Sequence, residues 1–77
     1  MTRMLISKPA VRVADVLDER CDRCGARARL IAYFPSGRSL AFCGHHANRH
    51  AAHLTETAGA VVVEPHFAWR GVEEAAT

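Results

Sequence analysis

Three features of the sequence predict a small α+β domain: the pairs Cys21-x-x-Cys24 and Cys43-x-x-His46 set eighteen residues apart, an apolar chain reversal between them, and an alanine-striped helical segment after them. Each x-x spacing lets a tight turn or one helical turn aim two side chains at a single point, and three thiolates with one imidazole make a tetrahedral set suited to zinc. A disulfide between Cys21 and Cys24 would leave Cys43 over, whereas one zinc ion uses all three thiols. A chain of 77 residues buries only a thin core, so a metal staple at its centre makes physical sense.

The elements follow in order. Residues 1–13 lack periodicity and contain Pro9, which predicts a flexible leader ahead of a zinc-binding domain over 14–65. Ala14 to Arg20 reads as one or two helical turns, with Val16 and Leu17 at the edge of the core. Gly25 suits the turn that closes the first ligand pair, because backbone amides must approach the sulfurs closely. Ala28 to Phe34 and Ser39 to Cys43 flank Pro35-Ser36-Gly37-Arg38, the signature of a hairpin. With Ser36-Gly37 as the turn centre, Tyr33 falls opposite Leu40 and Ile31 opposite Phe42, which gathers four large apolar side chains on one face. Leu30, Ala32, Phe34, Ser39 and Ala41 make the weaker second face.

From His45 to Ala58, Ala47, Ala51, Leu54 and Ala58 recur at helical spacing, and Gly59 is the expected C-terminal stop. Small alanines on that stripe complement a hairpin face of large residues. Ala60-Val61-Val62-Val63-Glu64 is β-branched and reads as a third strand at the hairpin's edge, ended by Pro65. Residues 66–77 read as a tail, with Phe67 and Trp69 as the side chains expected to dock it.

Knuckle, hairpin, then a second ligand pair in the first turn of a helix is the layout of treble-clef zinc modules, which the chain resembles from Arg20 to Gly59. A plain zinc ribbon, with both pairs on hairpin knuckles, is disfavoured by the helical pattern after Cys43. His46 is the preferred fourth ligand, since residues three apart across a helical turn share a face; His50, one turn further on, is its rival. His46, His50 and His53 also form a stripe, which reads as an ordinary helix face around one ligand rather than a second metal site. The segments Cys21-Asp-Arg-Cys-Gly-Ala26 and Phe42-Cys-Gly-His-His46 together resemble a family of small, functionally uncharacterised zinc proteins of actinobacteria and their phages. That resemblance implies this fold, a cytoplasmic setting and no known activity.

Function is to be sought on the surface. Four protein ligands close the coordination sphere, no Ser-His-Asp order stands out, and no catalytic residue or small-molecule substrate is expected. No apolar run is long enough for a secretory or membrane-spanning segment. The formal net charge is only +2, yet residues 20–50 carry Arg20, Arg23, Arg27, Arg29, Arg38 and Arg49 against the single acid Asp22. Arg23, Arg27, Arg29, Arg38 and Arg49 are therefore candidate nucleic-acid contacts, weakly sequence-specific at best. A solvated face that keeps a small protein soluble is the plainer explanation of the same arginines. The favoured role is an accessory or adaptor module with one structural zinc, its partner a protein of the transcription or translation machinery, with nucleic acid as the alternative. That preference comes from two apolar hairpin faces and one covering helix. Val61 to Val63, Phe67 and Trp69, or a homodimer, would otherwise close the second face.

Overall fold

A computed structural model describes residues 9–71, which fold as a four-stranded sheet carrying a broken helix on one face. The strands are β1 (Ala10–Val13), β2 (Leu30–Tyr33), β3 (Ser39–Phe42) and β4 (Ala60–Val63), in the spatial order β1-β4-β2-β3. The helical pieces are α1 (Gly44–Arg49) and α2 (Ala51–Thr57), which join β3 to β4. Order and topology are those of a small α+β, treble-clef-like domain: a turn carrying the first ligand pair, the β2–β3 hairpin, then a helix whose N-terminus carries the second pair. The third strand of the sequence reading is β4, hydrogen-bonded antiparallel to β2.

The hairpin register differs by one residue from the expected one. Tyr33 faces Ser39, Ala32 faces Leu40, Ile31 faces Ala41 and Leu30 faces Phe42. The cause is a loop of three residues rather than two. The Phe34 amide donates to the Arg38 carbonyl (2.9 Å) and the Gly37 amide to the Phe34 carbonyl (2.9 Å), with Gly37 at φ +93°. Proline at the first loop position and a left-handed glycine at the last are the chemistry of a type I turn followed by a one-residue bulge. A slip of one residue exchanges the two faces. Leu30, Ala32 and Phe42, joined by Val61 and Val63 of β4, therefore point into the core, while Ile31 and Tyr33 point away.

Ala47, Ala51, Leu54 and Ala58 pack on that inward face, all at most 5% exposed. The helix is not continuous: it breaks at His50, whose backbone sits at φ −103° and ψ 18°. The Trp69 indole Nε1 donates to the Ala47 carbonyl (2.8 Å), one turn before the break, and a side chain inserted into the carbonyl ladder is a recognised cause of such a kink. Gly59 is not a left-handed cap. Ala58 already turns extended (φ −82°, ψ 144°), and the Gly59 amide donates to the Tyr33 carbonyl (2.8 Å), so the chain passes directly into β4.

Two expectations for the N-terminal part are corrected. Ala14 to Arg20 is not helical, and Ala10–Val13, inside the segment read as a leader, is a strand parallel to β4. Val11 and Val13 alternate with Arg12 at the sheet's outer edge, where Val13 remains 65% exposed. The remaining leader, residues 1–8, and the tail beyond Gly71 lie outside the described residues. Trp69 is 3% exposed and belongs to the main core, with Phe67 packed against it. Both therefore reinforce the helix side, and neither covers the opposite face of the sheet, where Tyr33 is 44% exposed.

Candidate metal centre

The metal centre is built from two local structures that the hairpin brings together. In the first, Cys21 and Cys24 bracket a turn closed by the Gly25 amide on the Cys21 carbonyl (2.8 Å), with Gly25 at φ +81° where a side chain would be strained. The Arg23 amide points at the Cys21 sulfur (3.4 Å). In the second, Cys43 is the N-cap of α1 and His46 lies in the helix's first turn, fixed by the Ala47 amide on the Cys43 carbonyl (2.8 Å). The knuckle is tied to the sheet through its own Asp22. The Asp22 amide donates to the Ala41 carbonyl (2.8 Å) and the Ala41 amide to Asp22 Oδ2 (2.7 Å), which blunts the outer edge of β3.

The three sulfurs and His46 Nδ1 all lie within 4.8 Å of one another. Cys24 Sγ is 3.7 Å from Cys43 Sγ, and His46 Nδ1 is 3.6 Å from Cys21 Sγ and 3.3 Å from Cys43 Sγ. Bond lengths of about 2.3 Å for Zn–S and 2.0 Å for Zn–N in a tetrahedron require S···S near ~3.8 Å and S···N near ~3.5 Å. Three of the six separations match these values and none exceeds 4.8 Å, so a small contraction seats one zinc ion. Once bound, the ion would cross-link knuckle and helix.

Protonation agrees with that role. Burial pushes the Cys21 thiol up, but donors from the Cys43, Arg23 and Cys24 backbone and the Cys24 thiol outweigh it and bring the group down from 9.0 to about 7. The His46 imidazolium is disfavoured by desolvation and by the neighbouring His45, His50, Arg23 and Arg49, which leaves the ring neutral and able to ligate. Cys24 moves the other way. The backbone at Ala26 favours its thiolate, but desolvation and the nearby Cys43 and Cys21 sulfurs prevail and raise it. Crowded thiols that resist losing their protons together are what a divalent cation relieves.

His50, the rival ligand, and the adjacent His45 flank His46 at ring separations of 6.1 Å (stacked) and 5.0 Å (edge-on). Among the described residues the one cluster able to hold a metal contains His46 and neither His50 nor His53.

The candidate nucleic-acid arginines are divided. Arg27 donates to Glu64 Oε2 at 2.7 Å, and Arg29 Nε lies 3.7 Å from Glu64 Oε1. Glu64 is 5% exposed and also accepts the buried Leu17 amide (3.0 Å). Arg23, Arg38 and Arg49 are exposed and, among the described residues, form no ion pair. Glu64 is not legible from the sequence because its basic partners, Arg27 and Arg29, precede it by 37 and 35 residues. The only local signal was an acid ending a β-branched run.

A family model described as a domain of unknown function, DUF7455, matches residues 15–68. The chain belongs to the DUF7455 family. The match takes in all four candidate ligands, the hairpin, both helical pieces, β4 and Glu64, and leaves out β1 and Trp69. The matched stretch is the metal-centred part of this fold, and β1 and Trp69 lie outside it. No curated protein and no solved structure matches the chain. No helix among the described residues is long and apolar enough to cross a membrane.

Proposed function

We propose that this chain is a structural zinc module that serves as an accessory or adaptor and binds a partner protein, its setting the cytoplasm of an actinobacterium or actinophage host. Four protein ligands leave no coordination position for water or substrate, so the metal's role is to hold shape rather than to react. The observation that carries the choice of partner is the engagement of Arg27 and Arg29 by the buried Glu64. Arg27 is thereby committed to the fold, and Arg29 lies beside the same carboxylate. What remains of the candidate set is Arg23, Arg38 and Arg49, a short complement for a phosphate backbone.

Capture on the tagged, zinc-loaded chain, with and without nuclease, tests this reading. A protein retained in both arms, at a level insensitive to salt, supports it. Capture abolished by nuclease and falling steeply with salt assigns nucleic acid instead. Arg23→Ala with Arg38→Ala is the appropriate control for phosphate contact, because removing Arg27 or Arg29 would also disturb Glu64.

A further inference from the structure

The three sulfurs of the metal centre differ in exposure. Cys21 and Cys43 are buried, at 4% and 8%, whereas Cys24 is exposed. The Arg23 amide further covers Cys21 Sγ (3.4 Å). Cys24 stands at the open end of the knuckle: a Cβ placed on the adjacent Gly25 would meet no heavy atom within 4 Å beyond its chain neighbours, so that side of the turn is bare. Bound zinc keeps its cysteine ligands as thiolates, the nucleophilic form of the side chain. The zinc-loaded domain therefore presents one reactive sulfur to solvent and shields two.

An oxidised Cys24 has a partner at hand. Its Sγ is 3.7 Å from Cys43 Sγ, across the junction between the knuckle and the N-cap of α1, 19 residues further along the chain. A Cys24–Cys43 bridge rejoins covalently the two structures that the metal joins. It leaves Cys21 and His46, two donors of four, which are too few to close a structural zinc site.

We propose that Cys24 makes the metal centre a peroxide-sensitive switch: oxidation begins at its exposed sulfur, ends in a Cys24–Cys43 disulfide and discharges the zinc. The proposal rests on the structural-zinc reading above and adds to it a second, metal-free form. In the first step the Cys24 thiolate attacks one oxygen of hydrogen peroxide, the O–O bond breaks, and Cys24 becomes a sulfenic acid as hydroxide departs. In the second, the Cys43 thiolate attacks the Cys24 sulfur, the S–O bond breaks and a second hydroxide leaves. Two thiolates have then passed two electrons to one peroxide. A dithiol reductant reverses the change by thiol–disulfide exchange and restores both thiolates for zinc.

The zinc-loaded full chain, its metal content verified, is treated with hydrogen peroxide in the presence of a chromogenic zinc indicator. The products are then digested with trypsin without reduction and mapped by mass; cleavage after Arg23 separates Cys21 from Cys24, so each bridge is distinguishable. The expected result is release of zinc in proportion to peroxide consumed, a linked peptide pair carrying Cys24 and Cys43, and zinc uptake restored by dithiothreitol. Brief alkylation of the zinc-loaded chain with N-ethylmaleimide should label Cys24 ahead of Cys21 and Cys43 by roughly tenfold. Cys24→His, which keeps a zinc ligand but removes the exposed thiolate, should slow peroxide-driven release by roughly tenfold or more; where that variant takes up no zinc, the order of alkylation in the parent decides. Labelling led by Cys21 or Cys43, a bridge between Cys21 and Cys24, or zinc retained in excess peroxide overturns the switch while leaving the structural-zinc reading intact. A chain that folds cooperatively with no bound zinc overturns both.

Discussion

Replacing Glu64 by alanine is expected to destabilise the zinc-loaded domain by about 2–3 kcal/mol, although the residue touches no metal ligand. The carboxylate joins β4 to three other places: it accepts the Leu17 amide at 3.0 Å and Arg27 at 2.7 Å, and stands 3.7 Å from Arg29. Leu17 is 6% exposed, so its amide, stripped of its acceptor, carries a desolvation cost of about 1–3 kcal/mol. The Arg27 side chain is 53% exposed, and solvent screening holds that ion pair to about 1 kcal/mol at most. The Arg29 contact, too long for a hydrogen bond, adds little. Glu64→Gln keeps an acceptor for Leu17 and is expected to cost about 1 kcal/mol, close to the Arg27 contribution alone. Urea unfolding at saturating zinc, with zinc content checked for each variant, measures all of this. A loss below about 0.5 kcal/mol for Glu64→Ala would place the carboxylate among ordinary surface groups and refute the reasoning. Equal losses for the Gln and Ala variants would shift the role from the Leu17 bond to the charge.

Three further outcomes are expected. Apparent binding energies of about 10–16 kcal/mol in small structural zinc sites exceed the stability of a core this thin, so chelation should unfold the domain. Trp69, the single tryptophan and 3% exposed, reports it: its emission should move to the red on chelation, and a buried-type spectrum from zinc-free protein would contradict the claim. The Cys21 thiol, lowered from 9.0 to about 7, contributes stability that is complete above 9.0 and lost as pH falls through 7, and the lowered His46 acts in the same sense. Zinc retention against a competing indicator should therefore decline as pH drops below 7, and a decline on raising the pH instead would reverse the sign. Gly37→Ala meets no atom within 4 Å but must hold φ +93°, so urea unfolding should show a loss of about 1 kcal/mol, and no loss would argue against the left-handed turn.

The metal centre was legible because its geometry is local. Each ligand pair spans four residues, and the hairpin between them has only to return the chain. The hairpin's existence was equally plain, but its register was not, because Leu30-Ile31-Ala32-Tyr33 offers apolar residues to both faces and alternation alone selects neither. The three-residue turn at Pro35-Ser36-Gly37 decided it. β1 carries a period-two signal in Val11-Arg12-Val13, yet four residues form a strand only with a partner, and that partner lies fifty residues on at Ala60–Val63. The same separation hid Glu64. Trp69 reads in the sequence as an aromatic in need of burial, but the carbonyl that satisfies its indole, and the kink at His50 that accompanies it, belong to tertiary packing.

The buried core explains why the domain needs more than one tether. Of its ten buried members, Ala32, Ala47, Ala51 and Ala58 are alanines, which allow close helix–sheet approach but contribute little apolar area each. Hydrophobic burial alone then leaves the junctions weakly held, and the structure secures them separately. The metal centre fastens the knuckle to the start of α1, Glu64 fastens the Leu17 segment and the knuckle's exit to the end of β4, and Trp69 with Asn48 fastens the following chain to α1. These tethers share no side chain, so losses from disabling Glu64 and Trp69 in zinc-loaded protein should add. Removing the metal frees the junction on which hairpin and helix both depend, which is why that perturbation alone is expected to abolish the fold.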